Sequence, residues 1–156
     1  AEISETVETV EEEGESASEY DAAYTGLANY GGNVWRYQVN GTVQWNYTGL
    51  VQYYGTWYYV EKGTLNWNYT GLTNYYGTWY YVEGGILNWK YTGLAKYYDT
   101  WYYIEKGVLN WNYTGYTDYY GTRYYVEKGV LVWNYSPFNL QSISAATDKF
   151  AIIVQI

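Results

Sequence analysis

One phrase is written five times along this chain. Aligned on Tyr-Thr-Gly, successive units start at Tyr24, Tyr47, Tyr69, Tyr91 and Tyr113, and Tyr135-Ser136-Pro137 makes a sixth, broken start. The first step is 23 residues and the rest are 22. A fixed period in this range means stacked supersecondary units, each touching mainly its neighbours and none able to bury its apolar surface alone.

The punctuation inside a unit predicts what is stacked. In the unit from Tyr47, Gly49 closes the start, Gly55-Thr56 separates the runs Leu50 to Tyr54 and Trp57 to Glu61, and Lys62-Gly63 ends the second. Short runs rich in aromatic and β-branched residues, bounded by glycine, read as the two strands of a hairpin rather than a helix. Thr64 to Trp67 reads as an extended link or a short third strand. The first unit has a longer turn, Gly-Gly-Asn-Val, and Asp99 stands where other units carry Gly, a substitution that a turn tolerates.

Alternation puts Trp57, Tyr59 and Glu61 on one face of the second strand and Tyr58 and Val60 on the other, so neither face is mostly polar. A lone hairpin is marginal in water, so each must be covered by the unit before and the unit after. The expected fold class is all-β: a solenoid of stacked β-hairpins, about five 22-residue repeats, with non-repeat ends. Residues 1–22 read as a disordered acidic leader or linker, 23–135 as the solenoid, and 136–156 as a C-terminal cap or the start of a following domain. The apolar run Phe150 to Ile156 would invite pairing with another chain if exposed, a route to self-association.

Charge narrows the function. Of the formal −8, nine acids and no base fall before residue 22, leaving eight bases against seven acids in the remainder. The repeats therefore lack the basic field that nucleic acid or an anionic membrane would need. No apolar run reaches the length of a membrane span, so no membrane insertion is expected. The opening Ala-Glu-Ile-Ser, without Met or an apolar segment, fits a secreted product whose signal has been removed. With neither His nor Cys, and with serines lying outside the repeats, no nucleophile and base are paired, and no cofactor or metal site is expected. Glu61, Glu83, Glu105 and Glu127 recur once per unit and read as solvated turn charges, not as two carboxylates facing one cleft. The Asn-Tyr-Thr sequons at Asn46, Asn68 and Asn112 read as turn chemistry.

What remains is the ring content, 26 Tyr and 9 Trp against 2 Phe. Such rings join an apolar body to a polar tip and suit half-wet surfaces. They stack on sugar faces and attract quaternary ammonium groups. The competing reading is that most of them fill the core between hairpins. Tyr59, Tyr81, Tyr103 and Tyr125 are expected there.

The recurrence of Gly-Thr-Trp-Tyr-Tyr-Val, a Gly turn and Tyr-Thr-Gly-Leu resembles the cell-wall-binding repeats of secreted Gram-positive bacterial proteins, the choline-binding and glucan-binding type. The resemblance covers Tyr24 to about Tyr135. It implies a hairpin solenoid, a non-catalytic module at the cell wall or cell surface, and a cell-wall polysaccharide, glycan or choline-bearing polymer as partner. In that family the ligand sits between consecutive hairpins, against the Trp of Thr-Gly-Trp, the Trp of Trp-Tyr-Tyr and an aromatic of the next unit. The second of these is matched by Trp35, Trp57, Trp79 and Trp101. The first is Leu27, Leu50, Leu72 and Leu94, which favours a glycan over choline. A second series, Trp45, Trp67, Trp89, Trp111 and Trp133, either restores an aromatic wall from another direction or plugs the core.

Unit 5 changes two positions together: Arg123 replaces the first Trp and Tyr116 replaces the Leu. The expectation is that the positions of Trp57 and Leu50 lie near the surface and near each other. The candidate platforms are thus Trp35, Trp57, Trp79, Trp101, Tyr116, Trp45, Trp67, Trp89 and Trp111. A different class of function stays open, a structural stalk or host-facing adhesin or toxin-like segment whose repeats bind no wall ligand.

Overall fold

The computed structural model describes residues 23–137. The expectations for residues 1–22 and for the chain beyond Pro137, including the self-pairing run, lie outside the described residues. Within them every element is a strand.

Units 2 to 5 are each a three-stranded meander. Unit 2 runs Gly49–Tyr53, Thr56–Glu61 and Thr64–Leu65; unit 3 runs Gly71–Tyr75, Thr78–Glu83 and Ile86–Leu87. Unit 4 repeats this as Gly93–Tyr97, Thr100–Glu105 and Val108–Leu109, and unit 5 as Gly115–Tyr119, Thr122–Glu127 and Val130–Val132. Unit 1 has Gly26–Asn29, Trp35–Val39 and Thr42–Val43, with its longer turn between the first two. The hairpin turn is Tyr54-Gly55, not Gly55-Thr56. Tyr53 and Thr56 are paired across it, and both turn residues have positive φ, 46° and 82°. That is the two-residue primed turn whose twist matches that of the strands. Lys62-Gly63 makes a second such turn, with φ of 49° and 80°.

The Tyr-Thr-Gly start ties the unit to itself. The Tyr47 hydroxyl donates to the Leu50 carbonyl at 2.6 Å, and the Lys62 N–H donates to Thr48 Oγ1 at 3.0 Å. Gly49 follows because a Cβ there would lie 3.0 Å from the Tyr47 hydroxyl oxygen. With Thr Oγ1 accepting from the turn, the sequon threonines have a structural task, as expected.

The third strand ties the unit to its predecessor. Thr64 pairs with Glu61 of its own hairpin on one edge and with Arg36 of unit 1 on the other. The same step recurs at Tyr58↔Ile86, Tyr80↔Val108 and Tyr102↔Val130, so fifteen antiparallel strands form one sheet. The hairpins of units 2 to 4 are each covered on both faces, as the non-polar alternation requires. Val60 packs back against Leu27, whereas Leu50 and Tyr59 pack forward against Val82 and Leu87 of unit 3. Equivalent clusters join Leu72 to Ile104 and Leu94 to Val126. Burying each such aliphatic side chain contributes about 1.5–3 kcal/mol. Tyr59, Tyr81 and Tyr103 are buried as expected, while Tyr125, which faces the end of the described stack, is half-buried.

Candidate functional site

The forward face of one hairpin and the back face of the next do not close completely, and the gap between them is walled by rings. Trp57 is half-buried and meets Tyr75 of the next unit edge to face, with centroids 5.0 Å apart at 62°. The same pair recurs as Trp35–Tyr53 at 5.1 Å, Trp79–Tyr97 at 4.7 Å and Trp101–Tyr119 at 5.2 Å. Each of these tyrosines then touches the turn tyrosine after it, Tyr75 with Tyr76 at 4.6 Å, for example.

Tyr54, Tyr76, Tyr98 and Tyr120 are 81–91% exposed at the hairpin tips. Their φ values of 46°, 49°, 52° and 47° lie in the left-handed region, which costs an L-residue other than Gly or Asn about 1–2 kcal/mol. A turn alone would favour Asn or Asp at this position. The same left-handed position of the second turn is taken by Lys62, Lys106 and Lys128, each at φ 49°, so what sets the first turn apart is the large ring that it holds out into solvent.

Three equivalent crevices result. Between units 2 and 3 a space of about 570 Å³ is lined by Tyr47, Gln52, Trp57, Asn74, Tyr75 and Tyr76. The next, about 460 Å³, is lined by Tyr69, Asn74, Trp79, Lys96, Tyr97 and Tyr98. The third, about 470 Å³, is lined by Tyr91, Lys96, Trp101, Asp118, Tyr119 and Tyr120, with Glu83 at its edge. Burial pushes the hydroxyls of Tyr47 and Tyr69 up to about 12. Both rings are therefore neutral near pH 7, and what they offer a cation is the π face and not a phenolate.

The second tryptophan series does not fill the core. Trp45, Trp67, Trp89, Trp111 and Trp133 are 36–60% exposed, because each follows the short third strand where the chain turns outward. The structure brings the two series together with an offset of one unit. Trp35 and Trp67 share a small cavity of about 80 Å³, and Trp57 and Trp89 line a crevice of about 360 Å³ together with Glu83. Trp57 is thus a partition between two crevices. Trp67 also donates its indole N–H to the Asn33 carbonyl at 2.7 Å, which gives the longer turn of unit 1 a role. Trp45 is covered differently, by the Arg36 guanidinium 5.1 Å from its ring.

The expectation for Leu50 and Trp57 is half corrected. They pack in one cluster, but Leu50 is 2% exposed, so its position is core and not surface. Tyr116 is 50% exposed because, among the described residues, no sixth hairpin covers the forward face of unit 5. Tyr116 and Tyr125 meet at 5.3 Å, and Tyr135 of the broken start stacks on Tyr125 at 3.5 Å. Arg123 stays in solvent and is held by Asp118 directly across the hairpin, through Nε at 2.8 Å and Nη2 at 3.1 Å. That bond holds the Asp118 carboxyl below its ordinary range.

Sequence reasoning left out the pairs Tyr75-Tyr76, Tyr97-Tyr98 and Tyr119-Tyr120, which complete the crevices. The available signal was a bulky ring at a position where a two-residue turn favours Asn or Gly.

Comparison with known proteins agrees with this architecture. The profile of the choline-binding repeat matches residues 46–66, 68–88, 90–110 and 112–132, more than half of the 156 residues. The chain belongs to the choline-binding repeat family. Among solved structures it is similar to choline binding protein F from Streptococcus pneumoniae, with 27% identity over 79% of this chain and 42% of that one and a TM-score of 0.31. It therefore spans less than half the length of that protein. No curated protein matches it.

Proposed function

We propose that the repeats form a non-catalytic surface module that attaches its parent protein to choline-bearing cell-wall polymer, the quaternary ammonium resting in the crevices between hairpins. The observation that carries this reading is the run Trp57–Tyr75–Tyr76 and its equivalents. Where the family places a tryptophan this chain has a buried Leu50, and the exposed Tyr76 supplies an aromatic wall from the next unit instead. A cation over such a face gains roughly 0.5–2 kcal/mol per ring. Sites that weak become useful when several on one rod meet a repetitive polymer, gaining on the order of 10²–10⁴ in avidity. Family membership supports a cell-wall or cell-surface location in a Gram-positive bacterium.

A second reading, sugar rings stacked on the linker tryptophans, is favoured by the exposure of Trp89 beside Trp57. The two separate by experiment. Retention on a choline-bearing resin, released by free choline and weakened by Tyr76→Ala, supports the first. Retention on wall glycan alone, weakened by Trp89→Ala, supports the second. If choline, wall preparations and a glycan array leave both tryptophan fluorescence and retention unchanged, the repeats are a stalk.

A further inference from the structure

The two tryptophan series meet on the other side of the Trp57 partition, and the length of the hairpin turn decides how they meet. Between units 1 and 2 the longer turn of unit 1 reaches across, so that the Asn33 carbonyl accepts from the Trp67 indole N–H at 2.7 Å. The space left between Trp35 and Trp67 is about 80 Å³, walled by Leu27, Tyr53, Tyr58 and Leu65. Unit 2 turns in two residues, Tyr54-Gly55, one residue fewer. The equivalent indole N–H, that of Trp89, makes no hydrogen bond to any described residue, and the ring is half exposed. The crevice that Trp89 shares with Trp57 opens to about 360 Å³, with Gly55 and Thr56 of the shorter turn at its edge. Ligand pockets commonly hold about 300–1,000 Å³, so of these two spaces only the second has room for a sugar ring.

We infer that the crevice between Trp57 and Trp89 is a binding site for an uncharged sugar ring, opened by the two-residue turn of unit 2, and that the longer turn of unit 1 closes the equivalent position at Trp67. This rests on the second reading above, that sugar rings stack on the linker tryptophans, and it is independent of what occupies the other side of Trp57. The two indoles supply broad apolar faces for a pyranose to stack on. Beside them stand the Trp89 N–H and the Lys90 ammonium as donors and the Glu83 carboxylate as acceptor. Lys90 is particular to this linker, since the same position is Asn46, Asn68, Asn112 and Asn134 in the other units. Its backbone N–H donates to Asn88 Oδ1 at 2.9 Å, which fixes the turn that carries the ammonium. Glu83 accepts from the Tyr81 hydroxyl through Oε1 at 3.4 Å, which leaves its second oxygen for a ligand. A sugar hydroxyl both donates and accepts, so neighbouring hydroxyls satisfy Glu83 and Lys90 together. An anion would meet Glu83 as a like charge, and a cation would meet Lys90.

The test uses Trp67 as a control within the same chain. The full chain is labelled with 5-fluorotryptophan, and resonances are assigned with Trp67→Phe, Trp89→Phe and Trp111→Phe. Uncharged tetrasaccharides of glucose, galactose and N-acetylglucosamine are then titrated while ¹⁹F shifts are followed. The expected result is that at least one of these sugars shifts Trp89 and leaves Trp67 still. Replacing Tyr54-Gly55-Thr56 with the Gly-Gly-Asn-Val of unit 1 is expected to silence Trp89, with circular dichroism checking the fold. Trp89→Phe, which keeps a ring and deletes the N–H, is expected to weaken binding of the same sugar about 2- to 10-fold, read by calorimetry. Trp67 and Trp89 shifting together, or Trp111 responding while Trp89 stays still, overturns the inference and leaves the sugar reading intact. A folded turn variant whose Trp89 still responds, or undiminished binding by Trp89→Phe, does the same. Silence of every linker tryptophan toward all three sugars overturns both.

Discussion

Trp57 and Tyr75 sit on different hairpins, yet their rings meet edge to face with centroids 5.0 Å apart. The contact exists only because the stack exists, so on the proposed reading stability and recognition share residues at every junction. Tyr76 is where they part, since it is 91% exposed and strained at φ 49°. Tyr76→Asn is expected to stabilise the protein by up to about 1 kcal/mol through relief of the turn. The same change is expected to weaken choline binding at that crevice by roughly 2- to 30-fold, the worth of one cation–π contact. Urea melts and choline titration of the same sample check both. A variant that binds as well as the parent would make Tyr76 a turn residue only.

Gly85 and Gly77 both have positive φ, 81° and 88°, but only Gly85 lies against another unit. A Cβ on Gly85 would sit 2.6 Å from the Asn66 carbonyl oxygen, while one on Gly77 would meet nothing within 4 Å. Gly85→Ala is expected to cost about 2–4 kcal/mol, combining backbone strain with separation of the units. Gly77→Ala is expected to cost about 1–2 kcal/mol, for strain alone. Equal losses in urea denaturation would mean that the junction does not need the close approach.

Leu72 is 1% exposed and packs in one cluster with Ile104 of unit 4. Leu72→Ala is expected to cost about 2–5 kcal/mol. In a stack whose units touch only neighbours the loss falls on one junction. The unfolding transition should therefore broaden or split, with the urea slope falling, and should not simply shift. A single, equally steep transition at lower urea would show that the units unfold together regardless.

Alkali should unfold the protein through its tyrosines. Burial raises Tyr47, Tyr69 and Tyr81 from 10.0 to about 12, and it raises Tyr91 further. The folded state therefore keeps protons that the unfolded chain releases above pH 10. Stability is unaffected by these groups below about pH 10 and falls as pH climbs from there toward 12. Melting temperature against pH, followed with phenolate absorbance, should show part of the absorbance arriving only with unfolding. A melting temperature flat to pH 12 would contradict the burial of these hydroxyls.

The architecture was legible because repetition and glycine spacing are local signals. Tyr-Thr-Gly marks a start whose three side-chain requirements are met within one unit, and the apolar pattern on both faces of Trp57 to Glu61 already demanded neighbours on both sides. What depended on the neighbour was harder to read. Leu50 looks like a degraded surface position until Val82 and Leu87 of the next unit cover it. Tyr54 looks like the end of a strand because aromatic runs favour strands, yet the pairing of Tyr53 with Thr56 puts it in the turn. Trp67 and Trp89 resemble core filler by residue type, but the outward step after each third strand leaves them exposed. Register decides all three cases, since a shift of one residue exchanges the faces.

The most direct measurement is a crystal structure of the chain at saturating choline. The account predicts trimethylammonium density against Trp57, Tyr75 and Tyr76. Ligand lodged instead against Trp67 or Trp89, or a crevice at Trp57 left empty at saturation, would contradict it.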